Sequence, residues 1–102
     1  MKSFSQKIWE LAKKVPKGKV TTYKELALAV GSPRAFRAAG NACNKNPNAP
    51  RVPCHRVVSS GGNLGGYAFG FARKKKLLFS EGIMFKNNKI VDFYKVLATA
   101  RE

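Results

Sequence analysis

The stretch TYKELALAVGSPRAFRAAGNACNK, residues 22–45, decides the fold because it contains two helix signals around one tight turn. Thr22 and Glu25 form a capping-box pattern, in which the two side chains satisfy backbone N–H groups at a helix start. Gly31 supplies the left-handed conformation that commonly ends a helix. These residues predict a helix over 23–30.

A second helix is predicted directly after the glycine. Ser32 is a favourable N-cap and Pro33 suits the first helical position, so the helix is expected to run from there to about Lys45. Two short helices joined by a tight glycine turn have the outline of a helix-turn-helix.

The faces of this second helix differ in character when about 100° is allowed per residue. The polar arc consists of Arg34, Arg37, Asn41, Asn44 and Lys45, the small arc of Ala35, Ala38 and Ala42, and the apolar arc of Phe36, Ala39 and Cys43. Small side chains beside a basic stripe would let the backbone approach a groove of duplex DNA. A plain amphipathic helix, with alanine present for its propensity, explains the pattern equally well.

The chain is strongly basic. Its 102 residues include 20 Lys and Arg against 5 Asp and Glu, which gives a formal net charge of +15. This excess favours nucleic acid as partner over a membrane, because no apolar run approaches the roughly 18 residues of a spanning helix. A basic protein of another kind stays open, since charge alone identifies no site. The polar start resembles no secretory signal, so we expect the protein in the cytoplasm, or in the nucleus of a eukaryote.

The flanking segments predict two more helices. A capping box at Ser3 begins a helix over 4–15, whose apolar residues repeat at helical spacing. Another helix is predicted over 71–81 and ends at Gly82, with the basic run 73–76 largely outward as a solvated face or a phosphate contact.

The remaining segments predict loop and short strands. Residues 46–70 are rich in proline and glycine, so they form a loop with a short strand at 55–59, and 83–93 form a hairpin around two asparagines. The length and the 44% hydrophobic content suit one domain over 1–102. We therefore expect a mainly α fold with small β elements. The expected architecture is a winged helix-turn-helix-like three-helix DNA-binding domain plus an active-site loop and a C-terminal hairpin.

The candidate chemistry lies at Cys54, which stands between Pro53 and the chain's single histidine, His55. A thiol is nucleophilic as its thiolate, and an imidazole can act as its base. Neighbours in an extended segment point to opposite faces, so a bridging water or a bent backbone would have to connect the two. Glu81 is the most conspicuous carboxylate to stand behind the imidazole. A buried structural cysteine and a hydrogen-bonding histidine are the alternatives, but the proline-stiffened loop favours chemistry.

Metal and cofactor sites are not expected. With one histidine, two cysteines and no CxxC pair, a zinc site is short of ligands. The second cysteine, Cys43, falls on the apolar arc of its helix and is expected in the core.

Several motifs together resemble one known family. PCHRVV (53–58) is followed by GGNLGGY (61–67) and preceded by NACNKNP (41–47) and VTTYKELA (20–27). From about residue 4 to 82 the chain is similar to the C-terminal alkyl-transfer domain of methylated-DNA–protein-cysteine methyltransferases, the O6-alkylguanine-DNA alkyltransferases. The resemblance implies direct DNA repair without a cofactor, by a monomer acting on duplex DNA that contains O6-alkylguanine. The lesion is flipped out of the duplex, and its alkyl group moves irreversibly to the cysteine.

The resemblance also implies roles for individual residues. Cys54 would accept the alkyl group, with Glu81 orienting His55 in a Glu, His, water, Cys relay. Asn46 would brace the active-site turn. Tyr23 would donate to the flipped base and help rotate its phosphate.

Other implied roles concern the DNA. Arg37 would take the place of the extruded base in the stack, and Tyr67 would wall the pocket. Ala68 stands where many relatives have serine and would offer only a backbone N–H. Relatives commonly carry an additional N-terminal domain, which we expect this chain to lack. The other candidate DNA contacts are Ser32, Arg34, Ala35, Ala38, Asn41 and Arg56.

Three other functions compete with alkyl transfer. A non-catalytic alkyltransferase-like module would bind the same lesion, although such relatives replace the cysteine that is present here. A winged-helix regulator would use the helix-turn-helix without needing Cys54, His55 and Glu81. A cysteine hydrolase ranks last, because it leaves the charge unexplained.

Overall fold

A computed structural model describes residues 2–46, 51–65 and 70–98 of the chain. The helices are α1 (Phe4–Lys13), α2 (Tyr23–Ala29), α3 (Phe36–Asn44), α4 (Phe71–Ser80) and α5 (Phe93–Val96). The strands are β1 (Thr21–Thr22), β2 (Val57–Val58), β3 (Phe85–Lys86) and β4 (Lys89–Ile90), and a 3-10 turn spans Cys54–Arg56. The predicted class, mainly helical and helix-turn-helix-like with small strands, is confirmed.

Helix α1 begins as its capping box predicts. The Ser3 hydroxyl accepts from the Gln6 N–H at 3.2 Å, and the Gln6 side chain accepts from the Ser3 N–H at 2.9 Å. The helix ends at Lys13, earlier than the predicted residue 15, because the next two N–H groups bond three residues back instead of four. Such tightened bonds are usual in a last helical turn.

The start of α3 corrects the prediction that Ser32 is its N-cap. The Ala35 N–H bonds the Ser32 carbonyl at 2.8 Å, which closes a turn over 33–35. Helical bonding begins one turn later, where the Ala39 N–H donates to the Ala35 carbonyl at 2.9 Å. The helix therefore starts at Phe36 with Ala35 as its cap and without a side-chain cap bond.

A first apolar cluster lies among α1, α2, α3 and the loop before β2. Its buried members are Ile8, Ala12, Leu26, Ala39, Ala42, Cys43, Val52, Cys54 and Val57.

Two side chains of α3 differ from their predicted faces. Ala42, expected on the small outer arc, is buried because α1 covers it, and the Trp9 indole donates to its carbonyl at 2.8 Å. Phe36, predicted on the apolar arc, is 47% exposed at the first residue of the helix and borders a surface cavity.

Two short parallel strands connect the helix-turn-helix to the cysteine loop. Strand β1 pairs with β2 in the register Thr21↔Val57 and Thr22↔Val58. The strand predicted over 55–59 is shorter, because the Arg56 N–H bonds the Pro53 carbonyl at 2.9 Å and winds residues 54–56 into a 3-10 turn. The backbone is therefore bent at Cys54 and His55, which is one of the two arrangements that the sequence left open, and both side chains are buried.

A second apolar cluster supports the other end of the domain. The hairpin β3–β4 turns at Asn87 and Asn88, whose φ angles of 53° and 64° suit a two-residue hairpin turn, as predicted. The buried members of this cluster are Val20, Val58, Leu64, Leu78, Ile83 and Ile90.

Candidate active site

The backbone around Cys54 is held on both sides. The Cys54 N–H donates to the Val52 carbonyl at 2.8 Å, and the Asn46 side-chain amide donates to the same carbonyl at 2.7 Å. Asn46 is itself buried at the end of α3. The contact predicted for Asn46, a brace across the cysteine loop, is present.

The Cys54 thiol lies in surroundings that favour its charged form. A side-chain hydrogen bond from Cys43 lowers the pKa of the Cys54 thiol below its ordinary value, although burial opposes this. The Asn46 amide and the positive charge of Lys74 act in the same direction as Cys43. Thiolate is the nucleophilic form of a cysteine side chain.

His55 and Glu81 are in contact, as the sequence predicted. The His55 Nε2 atom lies 3.0 Å from Glu81 Oε2, and both side chains are at least nine-tenths buried. Burial lowers the pKa of His55 below its ordinary value, which the carboxylate offsets only in part. Burial alone would raise the pKa of Glu81, but hydrogen bonds from Arg56 and His55 outweigh it and lower that pKa. A neutral imidazole donating through Nε2 carries its lone pair on Nδ1, where it can accept a proton.

Arg56 donates to the same Glu81 carboxylate that contacts His55. Its Nε and Nη2 atoms donate to the two oxygens of Glu81 at 2.9 and 2.7 Å, and Nη1 donates to the Val15 carbonyl at 2.8 Å. These contacts give Arg56 a structural role that the sequence did not reveal, and its contact with DNA stays a prediction.

Lys74 is a residue of the site that sequence reasoning missed. The run 73–76 was predicted to point largely outward, yet Lys74 is fully buried. Its Nζ atom donates to the Val57 carbonyl at 2.7 Å and to the Tyr23 hydroxyl at 3.4 Å. Burial lowers the pKa of Lys74 from 10.5 to about 8. The available signal was its spacing of four residues from Leu78, which is also buried.

Tyr23 is the first residue of α2 and borders a cavity of about 400 Å³. Burial, followed by the nearby cysteines, raises the pKa of its phenol, which therefore stays protonated as a donor. Gly65 lies against it with φ of +73°, and a Cβ there would stand 3.0 Å from the Tyr23 hydroxyl. The lining residues are Tyr23, Lys24, Pro33, Arg34, Phe36, Ser59 and Ser60.

The predicted DNA contacts of the helix-turn-helix lie on its surface. Arg37, Ala38 and Asn41 are exposed on α3, Ser32 and Arg34 are exposed in the preceding turn, and Ala35 is half-buried. They form a surface that is separate from the buried thiol but adjoins the cavity at Arg34. Their contact with DNA stays a prediction.

Some predictions fall outside the described residues. Tyr67 and Ala68 lie in the undescribed segment 66–69. Among residues 2–46, 51–65 and 70–98, no three metal-binding side chains are grouped as a metal site would require. In the same part of the chain, every helix is too short or too polar to cross a bilayer.

Comparison with known proteins gives consistent matches. The family model for the 6-O-methylguanine DNA methyltransferase DNA-binding domain matches residues 3–83. A methylated-DNA–protein-cysteine methyltransferase of Methanosarcina barkeri is 48% identical over 75 residues, which are 74% of this chain and 48% of that protein. The chain thus spans about half the length of this curated relative.

Two solved structures bound to DNA are also similar. Mycobacterium tuberculosis OGT in complex with DNA is 42% identical with a TM-score of 0.75, covering 79% of this chain and 50% of that chain. Atl1 of S. pombe, in complex with damaged DNA containing O6-carboxymethylguanine, is 27% identical with a TM-score of 0.80. That match covers 97% of this chain and 99% of the other.

Proposed function

Because the chain belongs to the 6-O-methylguanine DNA methyltransferase family, which its DNA-binding-domain model identifies, we propose that it repairs alkylated DNA directly. The alkyl group of O6-alkylguanine in duplex DNA is transferred to the Cys54 sulfur in one irreversible turnover. Residues 1–102 then correspond to the family's C-terminal alkyl-transfer domain. The observation that carries the proposal is the assembly of the Cys54 thiol, its Asn46 brace and the His55–Glu81 pair around a single buried turn.

The transfer is a displacement at the alkyl carbon. A bond forms between the Cys54 sulfur and that carbon while the bond from carbon to the guanine O6 breaks, and its electron pair remains on the guanine. Sulfur suits this step because a thiolate is a strong nucleophile near neutral pH. The Tyr23 phenol, kept protonated by burial, donates to the base as charge develops there. The product is a thioether, which neither His55 nor water cleaves.

The thiol proton leaves through His55. Neutral His55 accepts it at Nδ1 through a water molecule, while Glu81 holds the ring by its Nε2 proton. Arg56 and His55 keep the Glu81 carboxylate ionised, so it stabilises the imidazolium that forms. The charge of Lys74 favours the thiolate that is left.

Access to the lesion requires that the base leave the stack. Extruding a base costs a few kcal/mol, least for a damaged pair. Arg37 occupies the emptied position in the duplex, while the small side chain of Ala38 lets α3 enter the minor groove. The net charge of +15 supplies phosphate attraction that is independent of sequence.

Lesion binding without transfer is the second candidate function. It is favoured by the similarity to S. pombe Atl1, which was solved in complex with damaged DNA and whose length is matched almost completely. A binding module would have no use for a thiol with a lowered pKa inside a braced turn, so the Cys54 surroundings favour transfer.

Incubation with a duplex carrying a single O6-methylguanine separates the two functions. Transfer predicts one added methyl group on the Cys54 peptide in mass spectrometry, and none in the Cys54→Ala variant. Unmodified Cys54 together with tight, lesion-selective binding would instead establish the binding module. Unmodified Cys54 together with equal affinity for damaged and undamaged duplex would contradict both.

A further inference from the structure

Phe36 is an aromatic side chain that the fold leaves on the surface. It is the first residue of α3, and 47% of it is exposed. In the part of the chain that the structure describes, it is a member of neither apolar cluster. Single exposed apolar residues are common on protein surfaces, so exposure alone assigns Phe36 no role.

The position of Phe36 relative to Tyr23 points to a role. Both side chains line the cavity of about 400 Å³ between α2, the turn before α3 and the loop after β2. Gly40 follows Phe36 by one helical turn on the same face of α3 and lies against the Tyr23 ring, since a Cβ there would stand 3.9 Å from two ring atoms. Phe36 therefore extends the wall of the cavity that Tyr23 begins.

The cavity has an inner and an outer part. Tyr23 is half-buried, whereas Phe36, Lys24 and Arg34 are exposed. In the proposed function the Tyr23 phenol donates to the extruded base, which places the base at the inner part. The deoxyribose and the phosphate of the same nucleotide then lie in the outer part, because they follow the base in the covalent structure.

The outer lining suits a sugar and a phosphate. The phenyl ring of Phe36 offers an apolar face to the carbon-bound hydrogens of a deoxyribose. Lys24 and Arg34 place positive charge beside that face, which favours a phosphate. Ser59 and Ser60 line the same cavity, and serine hydroxyls can donate to phosphate oxygens.

We infer that Phe36 contacts the extruded nucleotide, with its ring packed against the deoxyribose at the opening of the cavity. This inference rests on the proposed function and adds to it a residue that holds the nucleotide outside the duplex. Arg37, the next residue of α3, is the one proposed to fill the emptied stack, and about 100° around the helix separates the two side chains. Arg37 thus stabilises the duplex after extrusion, and Phe36 stabilises the nucleotide that has left it.

The contribution of the ring is measured as lesion selectivity, the ratio of the affinities for duplex with and without one O6-methylguanine. Covering the exposed half of a phenyl side chain changes an equilibrium constant by about fivefold. The ratio is determined in proteins that also carry Cys54→Ala, so that no transfer removes the lesion. We expect Phe36→Ala to lower the ratio about fivefold and Phe36→Tyr, which keeps the ring, to preserve it.

Phe79→Ala is the matched control. It also removes an exposed phenyl ring, with 62% of Phe79 exposed on α4, but Phe79 does not line this cavity. Its selectivity should equal that of the original protein. Urea unfolding of each variant checks that the substitutions leave the fold intact, as their exposed positions predict.

Transfer rates separate the deoxyribose from the base. With Cys54 present, Phe36→Ala should slow transfer from duplex at subsaturating concentration by the same factor as it lowers the selectivity. Transfer from free O6-methylguanine base should keep its rate, because the free base has no sugar for the ring to contact.

Several results would overturn the contact. Unchanged selectivity in Phe36→Ala, or no selectivity in any of the proteins, would do so. An equal loss of affinity for damaged and undamaged duplex would instead indicate a contact with the duplex itself, and an equal loss of transfer from the free base would indicate a displaced Tyr23. If no protein transfers a methyl group but Phe36→Ala still loses selectivity, the proposed transfer is refuted and the contact stands.

Discussion

Replacing Lys74 with methionine keeps an unbranched side chain but removes a buried amine. Burial lowers the pKa of this amine from 10.5 to about 8 in the folded protein. Between these two values the unfolded chain holds a proton that the folded chain has released, so the free energy of unfolding increases with pH. At about 1.4 kcal/mol per pH unit, the pKa difference corresponds to about 3 kcal/mol. As the pH rises from 8 to 10.5, the free energy of unfolding of the original protein therefore increases by about this amount relative to that of Lys74→Met.

Urea unfolding of both proteins from about pH 7 to pH 10.5 measures this difference. Other titrating groups are common to the two proteins and largely cancel when the free energies are subtracted. The subtracted curve should be flat below pH 8 and then rise. If the two stability curves ran parallel throughout, the amine would have the same affinity for protons in both states and the reasoning from its burial would be wrong.

Three further predictions concern the site and the DNA surface. Glu81→Gln removes the negative charge that His55 and Arg56 both contact, so the free energy of unfolding measured in urea should fall by about 3 kcal/mol. An unchanged free energy of unfolding would contradict this role. Gly65→Ala should slow transfer more than Gly31→Ala, because both have positive φ but only the first would crowd the Tyr23 hydroxyl. Equal transfer rates would count against that contact. Arg37→Ala should reduce repair of duplex far more than it reduces transfer from free O6-alkylguanine base. Lys76→Ala also removes one exposed charge, on α4, but should not reduce repair of duplex in this way. Equal effects of the two substitutions on duplex repair would refute the intercalating role of Arg37.

Features that depend on neighbouring residues were predictable from the sequence. The capping box at Ser3 and the asparagine turn at 87–88 each depend on a few adjacent positions, and the structure contains both. The pairing of His55 with Glu81 was also predicted, because the chain has one histidine and few acidic residues from which to choose.

Features set by packing were not predictable in the same way. Lys74 stands in a run of four basic residues, and its spacing of four from Leu78 was the single hint of its burial, which the rotation of α4 against the cysteine loop decides. Cys43 was correctly assigned to the core, but its place in the same apolar cluster as Cys54 depends on where the loop after α3 returns. The structural role of Arg56 could not be predicted, because its partners Val15 and Glu81 are distant in sequence.

Counting the methyl groups transferred per protein chain tests the central claim most directly. The protein is incubated with a large excess of duplex containing O6-methylguanine under reducing conditions until no further change occurs. We expect each chain to acquire one methyl group, on Cys54, and repair to stop at that point. Continued turnover, a methyl group on Cys43, or a Cys54 that stays unmodified would contradict it.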